Sequence, residues 1–347
     1  MKITPNSLTI SQLFSSTNEQ FVIPAYQRRY SWRERQIWEL IEDIKLIDPT
    51  DTHLLGSIVC LTGHHTAGIN KLELVDGQQR LTTLIIILEC IRQRLEHDEE
   101  FQQVSDLGRL LNAKPLGGKA VRKMELDSMD GAEFDRLVSN KSNDDNLEYE
   151  NKHLKIAFDV IRGWIEENEL DRLGEFLYKL QNQVIIIRLD VIDAKDAFKL
   201  FEAINNRGLR LSPTDIIKNF VLGNAARVSD NALKDARYRW AELVTYLDGT
   251  DTDAFFRYFL ISILKKRVTK SKVVPEFKAL FMNDVIEAAM LPDRHLYVDE
   301  AEEEEEEEAD DLTEFADSND APLKRAGNAK ISFETFLSRI VVSASFR

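Results

Sequence analysis

Residues 75–84 read VDGQQRLTTL, and several consecutive side chains in that stretch suit phosphate chemistry. Asp76 can hold a metal or a hydroxyl, and Gly77 lets a ligand approach the backbone. Gln78 and Gln79 offer donors and acceptors together, and Arg80 supplies a planar fork for phosphate. An apolar run at 72–75 precedes the turn and a helical pattern starts at Leu81. A strand that enters a glycine turn and leaves as a helix points the unpaired N–H groups of the first helical turn at an anion. Thr82 and Thr83 add hydroxyls, as ligand contacts or as caps. Together these residues suit a nucleotide, with Asp76 as the candidate metal ligand or water-positioning acid and Asp76, Gln78, Gln79 and Arg80 as candidate catalytic groups. The plainer alternative is a hairpin-to-helix turn whose Arg80 pairs with a surface acid.

Two further clusters carry chemistry. Tyr26, Gln27, Arg28, Arg29, Tyr30 and Trp32 interleave aromatic rings with cations, a composition that stacks on bases or sugars while neutralising phosphate. The alternative makes the aromatics core residues and lets the arginines snorkel. In residues 205–218, a helix–turn–helix connection accounts for Gly208, Ser212 and Pro213. It accounts less well for Asn206, Arg207, Asp215 and Lys218. Arg207 and Lys218 are read as phosphate contacts and Asp215 as an orienting acid, converging on the Asp76 turn if the strand at 183–189 lies beside the strand before Asp76. The six histidines, at 53, 64, 65, 97, 153 and 295, are scattered and form no ββα-metal grouping.

Periodicity supplies the elements that must position these groups. A short helix is expected at 8–14, capped by Thr9 or Ser11, then a polar loop at 15–19 and a strand at 21–23 ended by Pro24. Ser31 to Glu34 has capping-box spacing, and Ile37, Trp38, Ile41 and Ile44 mark an amphipathic helix. Strands are expected at 54–61 and 71–75 around a loop at 62–70, followed by a helix with one apolar face from Leu81 to Leu95. The stretch 99–151 is polar and mixed, with a loop at 115–118 and a helix at 126–138. Helices at 152–167 and 170–181 precede the VIIIRL strand, which returns to the sheet begun near the N-terminus. Helices follow at 197–204, from Pro213 to a stop at Gly223, and at 232–247, 252–264, 273–290 and 331–343.

The fold class is therefore α+β: a small mixed sheet with helices, followed by a mostly α-helical region. The expected organisation is a core formed by 1–98 with 183–225, a helical insertion at 99–182, a helical subdomain at 226–298, an acidic linker at 299–330 and a short helix at 331–347. At 347 residues the chain can bury a sizeable core. It carries a formal charge of −15, but residues 299–320 contain 14 acids and no Lys or Arg, so the remainder holds 46 acids against 45 bases. Local basic clusters can therefore still bind phosphate. The acidic run is read as a solvated linker or as a mimic of a polyanion. Two cysteines within apolar patterns, no signal-like start and no membrane-length apolar run predict a reduced, cytoplasmic protein without membrane contact.

Three blocks occur in order: FVIPAYQRRYSW at 21–32, LVDGQQRLTTL at 74–84 and AFKLFEAINNRGLRLSPTDIIKNFVL at 197–222. Over roughly 8–225 the chain thereby resembles the N-terminal domain of GmrSD-type restriction endonucleases, whose core looks like the ParB/sulfiredoxin fold. It also resembles the first domain of the phosphorothioate-sensing SspE type. The resemblance implies a modification-dependent, type IV anti-phage defence system in which this domain binds and hydrolyses an NTP (GTP, UTP or ATP) with Mg²⁺ and takes part in sensing glucosylated-base or phosphorothioate DNA. In such proteins a separate HNH nuclease domain or subunit cuts the DNA, and no such motif is present in these 347 residues: either they are the sensor half, or the nuclease half is truncated or encoded elsewhere. Self-association into a homo-oligomer is compatible with this reading. The alternatives are a non-enzymatic DNA-binding adaptor of ParB-like fold and a directly acting nuclease.

Overall fold

The computed structural model describes residues 3–66, 68–115, 117–127, 129–139, 149–205, 212–291 and 330–346. The chain divides into two compact units, Met1–Ala197 and Phe198–Arg347. It is mixed α+β with a mostly helical C-terminal region.

The first unit holds a six-stranded mixed sheet. Its elements run β1 (Ile3–Thr9), α1 (Ile10–Phe14), β2 (Glu19–Ile23), α2 (Glu34–Lys45), β3 (His53–Thr66), β4 (Ile69–Asp76), α3 (Gln78–His97) and α4 (Phe101–Leu111). There follow β5 (Asn112–Ala113), β6 (Val121–Arg122), β7 (Met124–Leu126), α5 (Gly131–Val138), α6 (Lys152–Glu167), α7 (Leu170–Asn182) and β8 (Val184–Val191). The sheet order is β1-β8-β3-β4-β2-β7. β8 runs parallel to β3 and antiparallel to β1, so it lies beside β3 rather than beside the strand that ends at Asp76. β4 has its two neighbours already, antiparallel β3 and parallel β2.

Helix α3 organises this unit. Every residue from Leu81 to Ile91 is buried, including Thr82, Thr83 and Glu89. A single apolar face was the expectation. The run LTTLIIILECI is instead apolar nearly all round, the signature of a helix covered on every side, and α4 and α6 pack against it. Both cysteines are buried and free, and burial pushes their thiols far above the usual range, which leaves them inert.

Several elements differ from expectation for local reasons. β1 carries Pro5 and Asn6, which hide its strand character; at a sheet edge the proline costs no ladder bond to a second neighbour. The hairpin strands run on to Thr66 and restart at Ile69, leaving almost no loop. Ser31 caps no helix: Arg33 holds the N-cap position of α2, and its N–H donates to the Gln36 side chain at 3.0 Å. Of the alternative caps for α1, Thr9 fills the role in a capping box with Gln12. The stretch 99–151 contains α4, three strands of two or three residues, too short to show a period, and α5, which begins at Gly131 within the helix expected at 126–138.

α8 (Ala194–Asn205) leads into the second unit, which contains α9 (Pro213–Val228), α10 (Asp230–Tyr246), α11 (Thr252–Leu264), α12 (Val273–Asp284), a 3-10 turn (Glu287–Met290) and α13 (Phe333–Ser345). Gly223 does not end α9. A Cβ there would sit 3.4 Å from the Cβ of Phe198, an ordinary contact, and the helix runs on through the glycine to Val228. The expected long helix at 273–290 breaks at Val285, which bridges to Ile331. Edge-to-face contacts among Phe220, Phe277, Phe281, Phe333 and Phe336 fill this unit's core. His295 and the acidic segment lie outside the described residues.

One buried cation makes the first unit sensitive to pH. Lys123 is 1% exposed and donates to the Ser16 carbonyl. Burial pushes its pKa down to about 8, against the opposing pull of Glu19, whereas the unfolded lysine titrates at 10.5. Between those values the unfolded chain binds more protons, so this group's penalty on the native state is full below pH 8 and is relieved as pH rises. Wild-type stability relative to a Lys123→Met variant, from urea denaturation, should therefore rise between pH 7.5 and 10. A flat difference would contradict the burial argument.

Candidate functional site

Three parallel strands, β4, β2 and β7, end at one edge of the sheet. β4 leads through Gly77 into α3, β2 leads into the loop 24–33, and β7 leads into the approach to α5. Carboxyl edges of parallel strands are where open sheets place ligands, because the connections diverge there.

Gly77 is the N-cap of α3, with φ of 93°. No side chain caps the helix at this position, so its first-turn N–H groups keep their capacity for an anion. A Cβ on Gly77 would stand 2.4 Å from Ile58 Cγ2, so shape and conformation both exclude a side chain. Arg80 folds back onto β3: one Nη donates to the Leu55 carbonyl at 3.2 Å and the other lies 3.6 Å from Asp76 Oδ2. Gly56 makes this possible, since a Cβ on it would fall 2.2 Å from the Arg80 guanidinium. Asp76 and Arg80 keep 21% and 25% of their side chains exposed.

The glutamines are directed at the loop. Gln79 accepts the Ser31 N–H at 2.8 Å and donates to the Arg29 carbonyl at 3.3 Å. Gln78 donates to the Arg28 carbonyl at 3.4 Å, while its buried Oε1 has no partner among the described residues. Gln27 reaches the opposite way, donating to the carbonyls of Leu74 and Val75 at 3.1 and 3.0 Å. The Tyr30 hydroxyl meets Thr83 Oγ1 at 2.8 Å, and burial raises its pKa well above the usual phenol range. Tyr26 donates to Glu73, and Trp32 packs on the core. Thr82 and Thr83 donate to the Gln78 and Gln79 carbonyls one turn back, so neither caps the helix.

The two adjacent arginines part company. Arg29 meets Asp130 at 2.6 Å, Glu133 at 3.6 Å and Glu150 at 3.9 Å. Arg28 is exposed and has no ion pair among the described residues. It borders a small cleft lined by Ile23, Tyr30, Gln78, Gln79, Thr82, Leu126 and Asp130.

Asp130, Glu133 and Asn151 escaped the sequence reading. All three are buried, at 1%, 5% and 5% exposure. Asp130 is the N-cap residue of α5 and Glu133 lies in its first turn, a D-x-x-E spacing visible in the sequence, although the Asp130 side chain bonds the loop rather than the helix; Asn151 is the N-cap of α6. In the second unit Ser212 caps α9, and Asp215 lies 2.9 Å from the Ser212 hydroxyl and 3.5 Å from Lys218 Nζ, which is itself buried. Arg207, with Asn206 and Gly208, lies outside the described residues.

Among the described residues no three His, Cys, Asp or Glu side chains converge as a metal cage. Mg²⁺ commonly uses one or two carboxylates and completes its shell with phosphate and water; Asp76 fits that pattern.

Fold and site together define a mixed α+β domain with an open helix terminus at the carboxyl edge of its parallel strands. The chain belongs to the family described as GmrSD restriction endonuclease, N-terminal domain, whose pattern matches residues 10–222. It is therefore a component of a type IV restriction system. No individual curated protein matches it. No helix among the described residues is long and apolar enough to cross a membrane.

Because Gly77 has neither space nor a suitable φ for a side chain, Gly77→Ala should cost at least about 2 kcal/mol, the scale of a strained left-handed position. The urea midpoint measures it, and an unchanged midpoint would show that the turn relaxes.

Proposed function

We propose that this domain binds and hydrolyses an NTP (GTP, UTP or ATP) and couples nucleotide state to recognition of modified DNA, glucosylated or phosphorothioated. The observation that carries the reading is the pair of hydrogen bonds from Gln79 to the loop, one accepted from the Ser31 N–H and one donated to the Arg29 carbonyl. On this reading a ligand seated on the turn is linked to the loop through these two bonds. The first-turn N–H groups of α3 and Arg28 would contact phosphate, and Arg80 would join them from its place over β3. Asp76 would hold Mg²⁺, which when bound neutralises phosphate charge. Tyr26, Gln27, Arg28, Arg29, Tyr30 and Trp32 form the sensing loop, with Tyr26 and Gln27 as its inward anchors. Asp215, Lys218 and Arg207 are left out of this site, because the strand that was to bring them to the Asp76 turn lies beside β3 instead. The core is ParB/sulfiredoxin-like on this reading, the setting is cytoplasmic, and an HNH nuclease domain or subunit makes the cut.

A non-enzymatic adaptor is favoured by one observation: Arg80 is already engaged by Leu55 and Asp76. Released phosphate, measured with Mg²⁺ and each NTP, with and without modified DNA, separates the two readings. Under the first, Arg80→Ala abolishes turnover while circular dichroism is unchanged. Loss of one charge-assisted phosphate contact is worth about 1.5–3 kcal/mol, so Arg28→Ala should weaken NTP binding by roughly ten- to a hundredfold. Wild-type protein that releases no phosphate from any NTP, with or without DNA, would leave the adaptor.

A further inference from the structure

The loop 28–31 is held from two sides. One side is the Gly77 turn and α3, through Gln78, Gln79 and Thr83. The other is a buried acid hub at the start of α5 and α6. Asp130 Oδ1 accepts from Arg29 Nε at 2.6 Å, and its Oδ2 accepts both the Tyr30 N–H at 2.7 Å and Asn151 Nδ2 at 2.9 Å. Asn151 in turn donates to the Tyr30 carbonyl at 3.0 Å while its Oδ1 caps α6. Glu133 accepts the backbone N–H groups of Glu150 and Asn151 and lies 3.6 Å from Arg29.

Local backbone geometry puts Asp130 there. A Cβ on Gly131 would stand 2.3 Å from the Leu126 carbonyl oxygen at the end of β7. Only glycine permits that approach, and it seats the carboxylate of Asp130 under the loop. Burying an acid at 1% exposure is costly unless it is fully satisfied; here two oxygens take three donors. Removing the charge would therefore disturb the loop more than the acid itself.

We infer that Asp130 is a positioning residue for the nucleotide site, sequestering Arg29 and fixing the Tyr30 backbone so that Arg28 alone of the two arginines is presented at the cleft. The inference rests on the function proposed above for its ligand, and on the contacts of this chain for its geometry. Arg29 is engaged by Asp130 and Glu133, and the exposed Arg28 beside it is the cation that borders the cleft. Asp130 touches no phosphate on this account; it acts through Arg28.

Two measurements on the full chain test it. Backbone amide exchange in the nucleotide-free protein reads the loop directly. Asp130→Asn puts a donor where a carboxylate oxygen now accepts, so exchange at Tyr30 and Ser31 should quicken at least tenfold. Gly131→Ala keeps the charge and displaces its carrier, and it should quicken the same amides. Affinity for a fluorescent GTP analogue then reads the coupling. Asp130→Asn should weaken binding about tenfold in the wild-type background and produce no further loss in an Arg28→Ala background, since both act on one contact.

Unaltered amide exchange in both variants would overturn the inference, and so would an equal loss of affinity in the two backgrounds, which is what general destabilisation produces. If the wild-type chain binds no nucleotide, the proposed function falls, while the exchange experiment still decides whether Asp130 holds the loop.

Discussion

From Leu81 to Ile91 the first unit leaves no side chain of α3 in water, and a helix without a solvent face cannot slide or rotate without opening a cavity somewhere. Interiors packed at crystal-like density resist such displacement. The N-terminus of α3 is consequently a fixed point, held at its base by Gly77 against Ile58 and along its length by α4 and α6. Whatever the turn presents, it presents in one orientation. The loop 24–33 inherits that rigidity, because Gln27 ties it to β4 while Gln79 and Thr83 tie it to α3. Chemistry at this edge is built on a core element rather than on a flexible connection, the arrangement that keeps polar groups accurately placed.

Charge is distributed with equal economy. Two arginines in succession would present a broad cationic surface if both were exposed. Three acids from α5 and the approach to α6 absorb one of them, which leaves a single, well-defined cation on the cleft. The same pattern recurs on the sheet, where Arg188 donates to both oxygens of Glu19 and to Asp190. Buried guanidinium groups in this unit are thus compensated locally, and the exposed one is set apart by that contrast.

Much of the fold could be read from periodicity and punctuation. The helices Lys152–Glu167 and Thr252–Leu264 begin and end where their apolar spacing and caps place them, and the β-branched run before Asp190 forms the strand expected of it. What was hidden depends on partners distant in sequence. β7 is three residues long and owes its existence to parallel pairing with β2, so no local signal announces it. Within the candidate site, residue types were legible and their directions were not. A glutamine amide pairs as readily with a backbone carbonyl as with a ligand, and only the structure directs Gln79 toward Ser31 and Arg29. Asp130 was invisible for a related reason: an acid before a helix reads as a cap, and nothing in the sequence connects it to an arginine 101 positions earlier.

The order of strands also bears on how the chain reaches this state. β8 is the last strand of the sheet to be made, yet it lies between β1 and β3, with Ile3 opposite Val191. Until it emerges, β1 has no partner and one edge of β3 is open. At ribosomal speeds of about 5–20 residues per second, that interval is on the order of 10 to 40 s. Non-local pairing of this kind slows folding and leaves strand edges available to other chains. The nascent protein therefore passes through a period in which its sheet is incomplete, with the β3 edge open until residues 184–191 arrive.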